Sequence, residues 1–298
     1  MSHSLGVRDT LLALLVVAIL GISFVAIKFG LTEMSPLAFC AWRFLLAAIP
    51  LVFFVRRPDV PWPLLLGYGF VIGVVQFGLL FLAIAIGMPA GLSSVIIQVQ
   101  VFVTIALSVL WLKERFRPAQ LFGAVFAALG LVMIGWSKMA SGLGLAFALV
   151  IAAAIAWGTG NVLAKRAGPV DLLGFIAWSS LAAPLPLALL SLMFEPSGAL
   201  LEPIVHPTFT AWASIVTIAY GATVFGFGTW SRLLAHHDAA VVSPFALLIP
   251  VFGMASTAIV FGERLTTTQA LGALLVLAGL TLAVFGPKLF TIVRNRFG

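Results

Sequence analysis

Residues 114–131 read ERFRPAQLFGAVFAALGL, and residues 263–280 read ERLTTTQALGALLVLAGL. At a constant offset of 149, Glu114, Arg115, Gln120, Gly123, Ala124, Gly130 and Leu131 recur as Glu263, Arg264, Gln269, Gly272, Ala273, Gly279 and Leu280. Matches continue upstream, where Gly21 and Lys28 answer to Gly158 and Lys165, and Phe39, Ala41, Trp42 and Pro50 to Phe175, Ala177, Trp178 and Pro186. The chain therefore reads as two similar halves, 1–138 and 139–298.

The composition fixes the setting of those halves. Of the 298 residues 62% are hydrophobic and 8% charged, against roughly 45–50% and 25% in soluble domains. The apolar residues lie in runs of 18 or more, long enough to cross a hydrocarbon layer about 30 Å thick. A β-barrel would instead alternate apolar and polar residues in segments of about ten, and no such alternation is present. The sequence predicts an all-α polytopic membrane protein. Charged and Pro/Gly clusters punctuate it into ten spans: 10–31, 35–55, 62–86, 90–112, 119–136, 142–163, 170–193, 209–233, 240–261 and 268–290. Only 195–208 is a loop of any length, so function is expected within the bilayer.

Charge sets the orientation. With the N-terminus in the cytoplasm, twelve of the sixteen Lys and Arg fall on that side; Lys138 and Arg264 fall in outer loops, and Lys28 and Arg43 within spans. The positive-inside bias thus places both termini in the cytoplasm. Five spans per half is an odd number, so the second half enters from the opposite side, an inverted-topology repeat. Such repeats hold a site near the midplane at their interface and exchange packings to give alternating access. The expected activity is transport.

The ten spans, the two halves and the pattern that ends each half (Glu-Arg, then Gln, then two glycines seven residues apart) resemble the drug/metabolite transporter superfamily. Within it the chain is similar to the EamA-type ten-helix exporters and their YddG-like amino-acid branch. The resemblance implies export of small metabolites, amino acids foremost, across the inner membrane through a central cavity between the repeats. A multidrug transporter, or one for sugar-phosphate-like or nucleotide-sugar-like metabolites, is the alternative. A drug-cation antiporter needs a buried acid in the first span, where only Asp9, at the cytoplasmic mouth, is available.

Several residues are candidates for substrate recognition. Arg43 lies about eight residues into its span, roughly 12 Å from the outer boundary, where an isolated charge costs about 2.5 kcal/mol or more; it either recognises a substrate carboxylate or snorkels to the headgroups. Lys28, about 7 Å deep, either contributes to the site, snorkels or pairs with Glu33. Ser93, Gln100, Thr104 and Ser108 form a polar stripe on the fourth span, either lining a cavity or bonding to another helix. Gln98 points elsewhere and reads as structural. Gln76, Trp157 with Asn161, and Tyr220 with Thr223 and Trp230 complete the cavity candidates, and Gly158 and Gly160 could loosen the helix beside Asn161.

Other features read as structure or as exclusions. The Gly123/Gly130 and Gly272/Gly279 pairs are expected at helix contacts, and Glu114 and Glu263 as surface caps or partners. His236, His237 and Asp238 read as a solvated turn, lacking the spacing of a zinc site. With a single cysteine, Cys40, and every carboxylate and histidine in a loop or at a span end, neither a metal, a cofactor nor an intramembrane enzyme is expected. The charge of +7 carries no basic block interleaved with aromatics, so the partners are lipid and a small molecule rather than nucleic acid. Monomer and homodimer stay open.

Overall fold

A computed structural model describes residues 6–114, 117–168, 170–237 and 239–297; expectations for Arg115 and Asp238 lie outside them. All regular structure among the described residues is helical. Nine helical segments there are long and apolar enough to cross a membrane, beginning with α1 (Val7–Glu33), and a tenth apolar helix, α2 (Pro36–Val52), has 17 residues. Helices are what apolar runs must form in lipid, where each backbone N–H and C=O has to be satisfied within its own segment.

The segments are less regular than uninterrupted runs imply. The third is α3 (Trp62–Gly69), a π-helical turn at Phe70–Gln76, then α4 (Phe77–Ala85). The fourth is α5 (Ala90–Ile96), a 3₁₀ turn at Ile97–Val99, then α6 (Gln100–Leu112). After α7 (Pro118–Ala140) and α8 (Gly144–Arg166), the seventh splits into α9 (Leu172–Ser180) and α10 (Pro184–Phe194), with Pro184 opening the second piece as a residue that has no N–H to donate. Short α11 (Glu202–Val205) lies in the long loop. Next come α12 (Phe209–Val216), a π-helical stretch at Thr217–Phe227 and α13 (Gly228–His236). The ninth segment is α14 (Ala239–Val242), a 3₁₀ stretch at Ser243–Leu248 and α15 (Ile249–Phe261), and α16 (Thr267–Phe297) closes the chain. Moved back by 149 positions, the second π-helical and 3₁₀ stretches cover 68–78 and 94–99, over the first pair.

Three expectations need correction. Helix α2 stops at Val52 rather than at 55, since residues 53–55 turn away from it. Helix α7 runs to Ala140, and Lys138, expected in an outer loop, is buried at its end. Helix α8 is continuous through Gly158 and Gly160; these glycines do not loosen it but admit neighbours, the Val103 side chain and that of Ile72.

Helices α7 and α16 form the most extensive pair. A Cβ on Gly123 would lie 2.5 Å from the Gly279 carbonyl oxygen, and one on Gly272 2.8 Å from that of Gly130. Low numbers on one helix meet high numbers on the other, so the pair is antiparallel. Between apolar helices in lipid, burial gives no net drive, and close backbone approach supplies the dispersion that holds them.

Gly279→Ala is therefore expected to destabilise the protein by on the order of 1–3 kcal/mol through overpacking. Gly67→Ala, at a helical glycine with nothing within 4 Å of an added Cβ, is expected to leave stability unchanged or slightly raised. Unfolding midpoints in detergent measure both, and equal shifts would contradict the contact.

Candidate functional site

Polar side chains inside the bundle meet across helices. On α6, Gln100, Thr104 and Ser108 recur every fourth residue; on α8, Asn161 and Lys165 do the same, so the two rows face one another. The Asn161 Nδ2 donates to Gln100 Oε1 at 2.6 Å and to Thr104 Oγ1 at 3.1 Å. The Thr104 hydroxyl donates to the Gln100 carbonyl at 2.7 Å. Lys165 Nζ donates to Ser108 Oγ at 2.9 Å and to both carboxylate oxygens of Glu114 at 3.1 Å. Gly158 makes the seam possible, since a Cβ there would sit 2.6 Å from the Val103 side chain. The stripe read from the sequence thus divides at the 3₁₀ turn: Ser93 is buried and donates to the Pro89 carbonyl at 2.9 Å. Gln98 donates to the Ala246 carbonyl at 3.5 Å.

Arg43 is 1% exposed and does not snorkel. Its guanidinium carbon stands 3.8 Å from the Phe77 ring centre, 4.4 Å from that of Phe44 and 5.9 Å from that of Phe81, a cation–π enclosure that offsets part of the desolvation. Nη2 donates to Thr223 Oγ1 at 3.2 Å, and that hydroxyl donates to the Ile218 carbonyl five residues earlier, inside the π-helical stretch. Among the described residues Nε and Nη1 of Arg43 have no hydrogen-bond partner, nor has Nε2 of Gln76, which precedes Phe77 and is equally buried. Buried donors left unpaired are costly, so these three are the natural places for an acceptor from a ligand.

The other candidates are dispersed. Lys28 pairs with Glu263 rather than with Glu33, its Nζ donating to Glu263 Oε1 at 2.6 Å. Trp157 packs against the main apolar core, whereas Trp230 joins a separate cluster around Ala13, Leu233 and Val242. Tyr220 is exposed. Trp157 and Trp230 thus belong to different apolar clusters. His237 is not in a solvated turn, because its Nε2 lies 2.7 Å from Asp9 Oδ2 and ties the end of α13 to the start of α1.

Two acids act as long-range caps: Glu263, expected as a cap or partner at the surface, is largely buried, and Glu195 was not singled out by the sequence. Glu195 accepts from the Leu37 and Ala38 amides at the start of α2, at 2.6 and 3.0 Å, and from Ser191 Oγ. Glu263 accepts from the Ala90 and Gly91 amides at the start of α5, at 3.1 and 3.0 Å. Each capped amide is about 160 or more positions away, and no local spacing signals such a contact.

With this geometry in view, comparison with known proteins is decisive. The model of the EamA-like transporter family matches residues 9–136 and 144–285. The chain belongs to the EamA-like transporter family. It is 42% identical over 293 residues to a protein of Salmonella typhimurium described as a probable amino-acid metabolite efflux pump, covering 96% of this chain and 98% of that one. A protein of Escherichia coli with the same description is 41% identical over 287 residues, covering 94% and 96%. A solved crystal structure 21% identical in sequence superposes with a TM-score of 0.62 over 93% of this chain and 96% of its own, a likeness of fold. The protein is a membrane transporter of this family.

The Glu263 contacts make a pH prediction. Burial alone would raise the carboxyl above its ordinary 4.5, but the Lys28 ammonium and the Gly91 and Ala90 amides outweigh it and hold the value lower. A depressed folded-state value gives stability that is present above 4.5 and lost as pH falls through the lower value in the folded protein. Glu263→Gln is thus expected to lower the unfolding midpoint near neutral pH, with the difference from wild type shrinking below 4.5. A constant gap across the acid range would contradict this role.

Proposed function

We propose that this protein exports small metabolites, amino acids foremost, across the inner membrane by alternating access between two inverted five-helix repeats, with both termini in the cytoplasm. The Salmonella and Escherichia coli relatives lend the substrate class. The repeat is supported by the antiparallel α7 and α16 contact, by the matching π-helical and 3₁₀ interruptions, and by the two segments that the family model covers. The α2 helix serves as the tenth span: its 17 residues reach the lower end of the crossing range.

One observation carries the substrate reading. Arg43 is buried with two guanidinium nitrogens unpartnered, and Gln76 beside Phe77 offers another unpartnered donor. A guanidinium stays charged at any physiological pH, and a carboxylate is the acceptor that best offsets its desolvation. The aromatic faces of Phe44 and Phe77 leave the cation an apolar surround, and the half-buried Gln100, Thr104 and Asn161 supply neutral hydrogen-bonding groups for the rest of an amino acid. Among the described residues no carboxylate lies mid-span to act as a proton relay, and transport down a substrate gradient is expected without a pH gradient.

Arg43→Ala should weaken uptake of carboxylate-bearing amino acids into proteoliposomes at least tenfold, and affect their amide analogues far less. Equal losses for acids and amides, in a variant that inserts and folds normally, would remove Arg43 from substrate recognition.

A further inference from the structure

The two acids that open the repeated stretch have the same place in each half and different surroundings. The helical segment Ala90–Leu112 has 23 residues, so its ends are about 33 Å apart. Glu263 stands at its start and Glu114 just past its end, on opposite ends of the bundle. Each carboxylate meets a lysine from the other half, Glu263 with Lys28 at 2.6 Å and Glu114 with Lys165 at 3.1 Å, and those lysines themselves correspond in the repeat. The difference lies in the backbone. Glu263 also accepts from the Ala90 and Gly91 amides and its side chain is 11% exposed; Glu114 accepts from no backbone amide among the described residues and is 49% exposed.

Counted on by 149, Ala90 and Gly91 become Ala239 and Ala240, the first residues of α14. Burial follows the same asymmetry. All seven residues of α5, next to Glu263, are buried, whereas Ser108 is the one buried residue among the thirteen of α6, next to Glu114. Protein thus packs around α5 along its whole length and around little of α6.

We infer that Glu263 and Glu114 are reciprocal gating residues, each closing its own end of the transport path by capping the helix start that faces it. In the conformation described, Glu263 caps Ala90 and Gly91. In the opposite conformation Glu114 caps Ala239 and Ala240, and Glu263 releases its amides. Lys28 and Lys165 each hold one carboxylate by an ion pair that can persist in both conformations. Two charge-assisted bonds at a helix N-terminus favour each closed end. Each seat offers two helix-opening amides, with Ala240 in the second where the first has Gly91, so exchanging one for the other replaces like bonds with like, as a transporter that must visit both conformations requires. The inference rests on the repeat reading, and on no assignment of substrate.

Thiol labelling of the full-length protein in liposomes tests it without any substrate, in a Cys40→Ser background with single reporters Leu92→Cys on α5 and Val101→Cys on α6. With both glutamates present, an impermeant maleimide should label position 101 and spare position 92. Glu263→Gln should raise labelling at 92 severalfold while lowering it at 101, and adding Glu114→Gln should reverse that shift, since both seats are then weakened alike. A capping role that is merely structural would instead raise labelling at both positions, and the second substitution would add to the damage; either result overturns the inference. Ala90→Pro deletes one amide at a position that tolerates proline and leaves both charges in place. It should move labelling in the direction of Glu263→Gln, so the inference stays testable if that variant fails to fold, and protection at 92 equal to the parent would overturn it.

Discussion

The close approach of α7 and α16 is the constraint on which the rest of the structure depends. Apolar side chains gain nothing by leaving lipid for protein, so a helix pair in a membrane is held by how nearly its backbones meet. Gly123, Gly130, Gly272 and Gly279 let these two meet at the distance of a missing Cβ. Because the contact is antiparallel, the helices that end the two halves run in opposite directions. Glu114 and Glu263 stand four residues ahead of Pro118 and Thr267, the first residues of those helices. The glycine seam thereby fixes an acid at each end of the bundle, and each acid meets a lysine from the other half.

Polar groups within the bundle then divide by what they meet. Gln100, Thr104, Ser108, Asn161 and Lys165 bond to one another across α6 and α8. Glu195 and Glu263 satisfy the opening amides of α2 and α5. Arg43 and Gln76 keep donors with no acceptor among the described residues. A low dielectric magnifies that difference, because satisfied networks rigidify and unsatisfied donors are costly. The unsatisfied ones are therefore where a ligand's charge changes the free energy most. The interruptions have a matching logic: π-helical and 3₁₀ turns occur mid-helix at hinges and functional positions, and Thr223 links one of them to Arg43.

The helical bundle and its glycine seam were legible in the sequence because both depend on local pattern: apolar runs for the spans, and a spacing of seven for glycines on one face. The polar stripe on α6 was legible for the same reason, although the 3₁₀ turn at Ile97–Val99 detached Ser93 from it. The partners were not legible. Lys28 meets an acid 235 positions away and Asp9 a histidine 228 positions away, and tertiary packing alone brings such groups together. The mid-helix interruptions were also hidden, since a π or 3₁₀ turn changes the hydrogen-bond register of the backbone without changing the apolar character of the run. Arg43 stood out as a charge at depth, while its three aromatic neighbours required the fold.

In the proposed transport cycle the two halves exchange packings so that one end of the bundle opens as the other closes. Double electron–electron resonance measures this most directly, with spin labels at Ile86 and Ile259 for the Glu263 end and at Leu110 and Arg232 for the Glu114 end, all on exposed positions. A saturating transported amino acid should lengthen one distance as it shortens the other. Both distances changing in the same sense, or neither changing while transport proceeds, would contradict it.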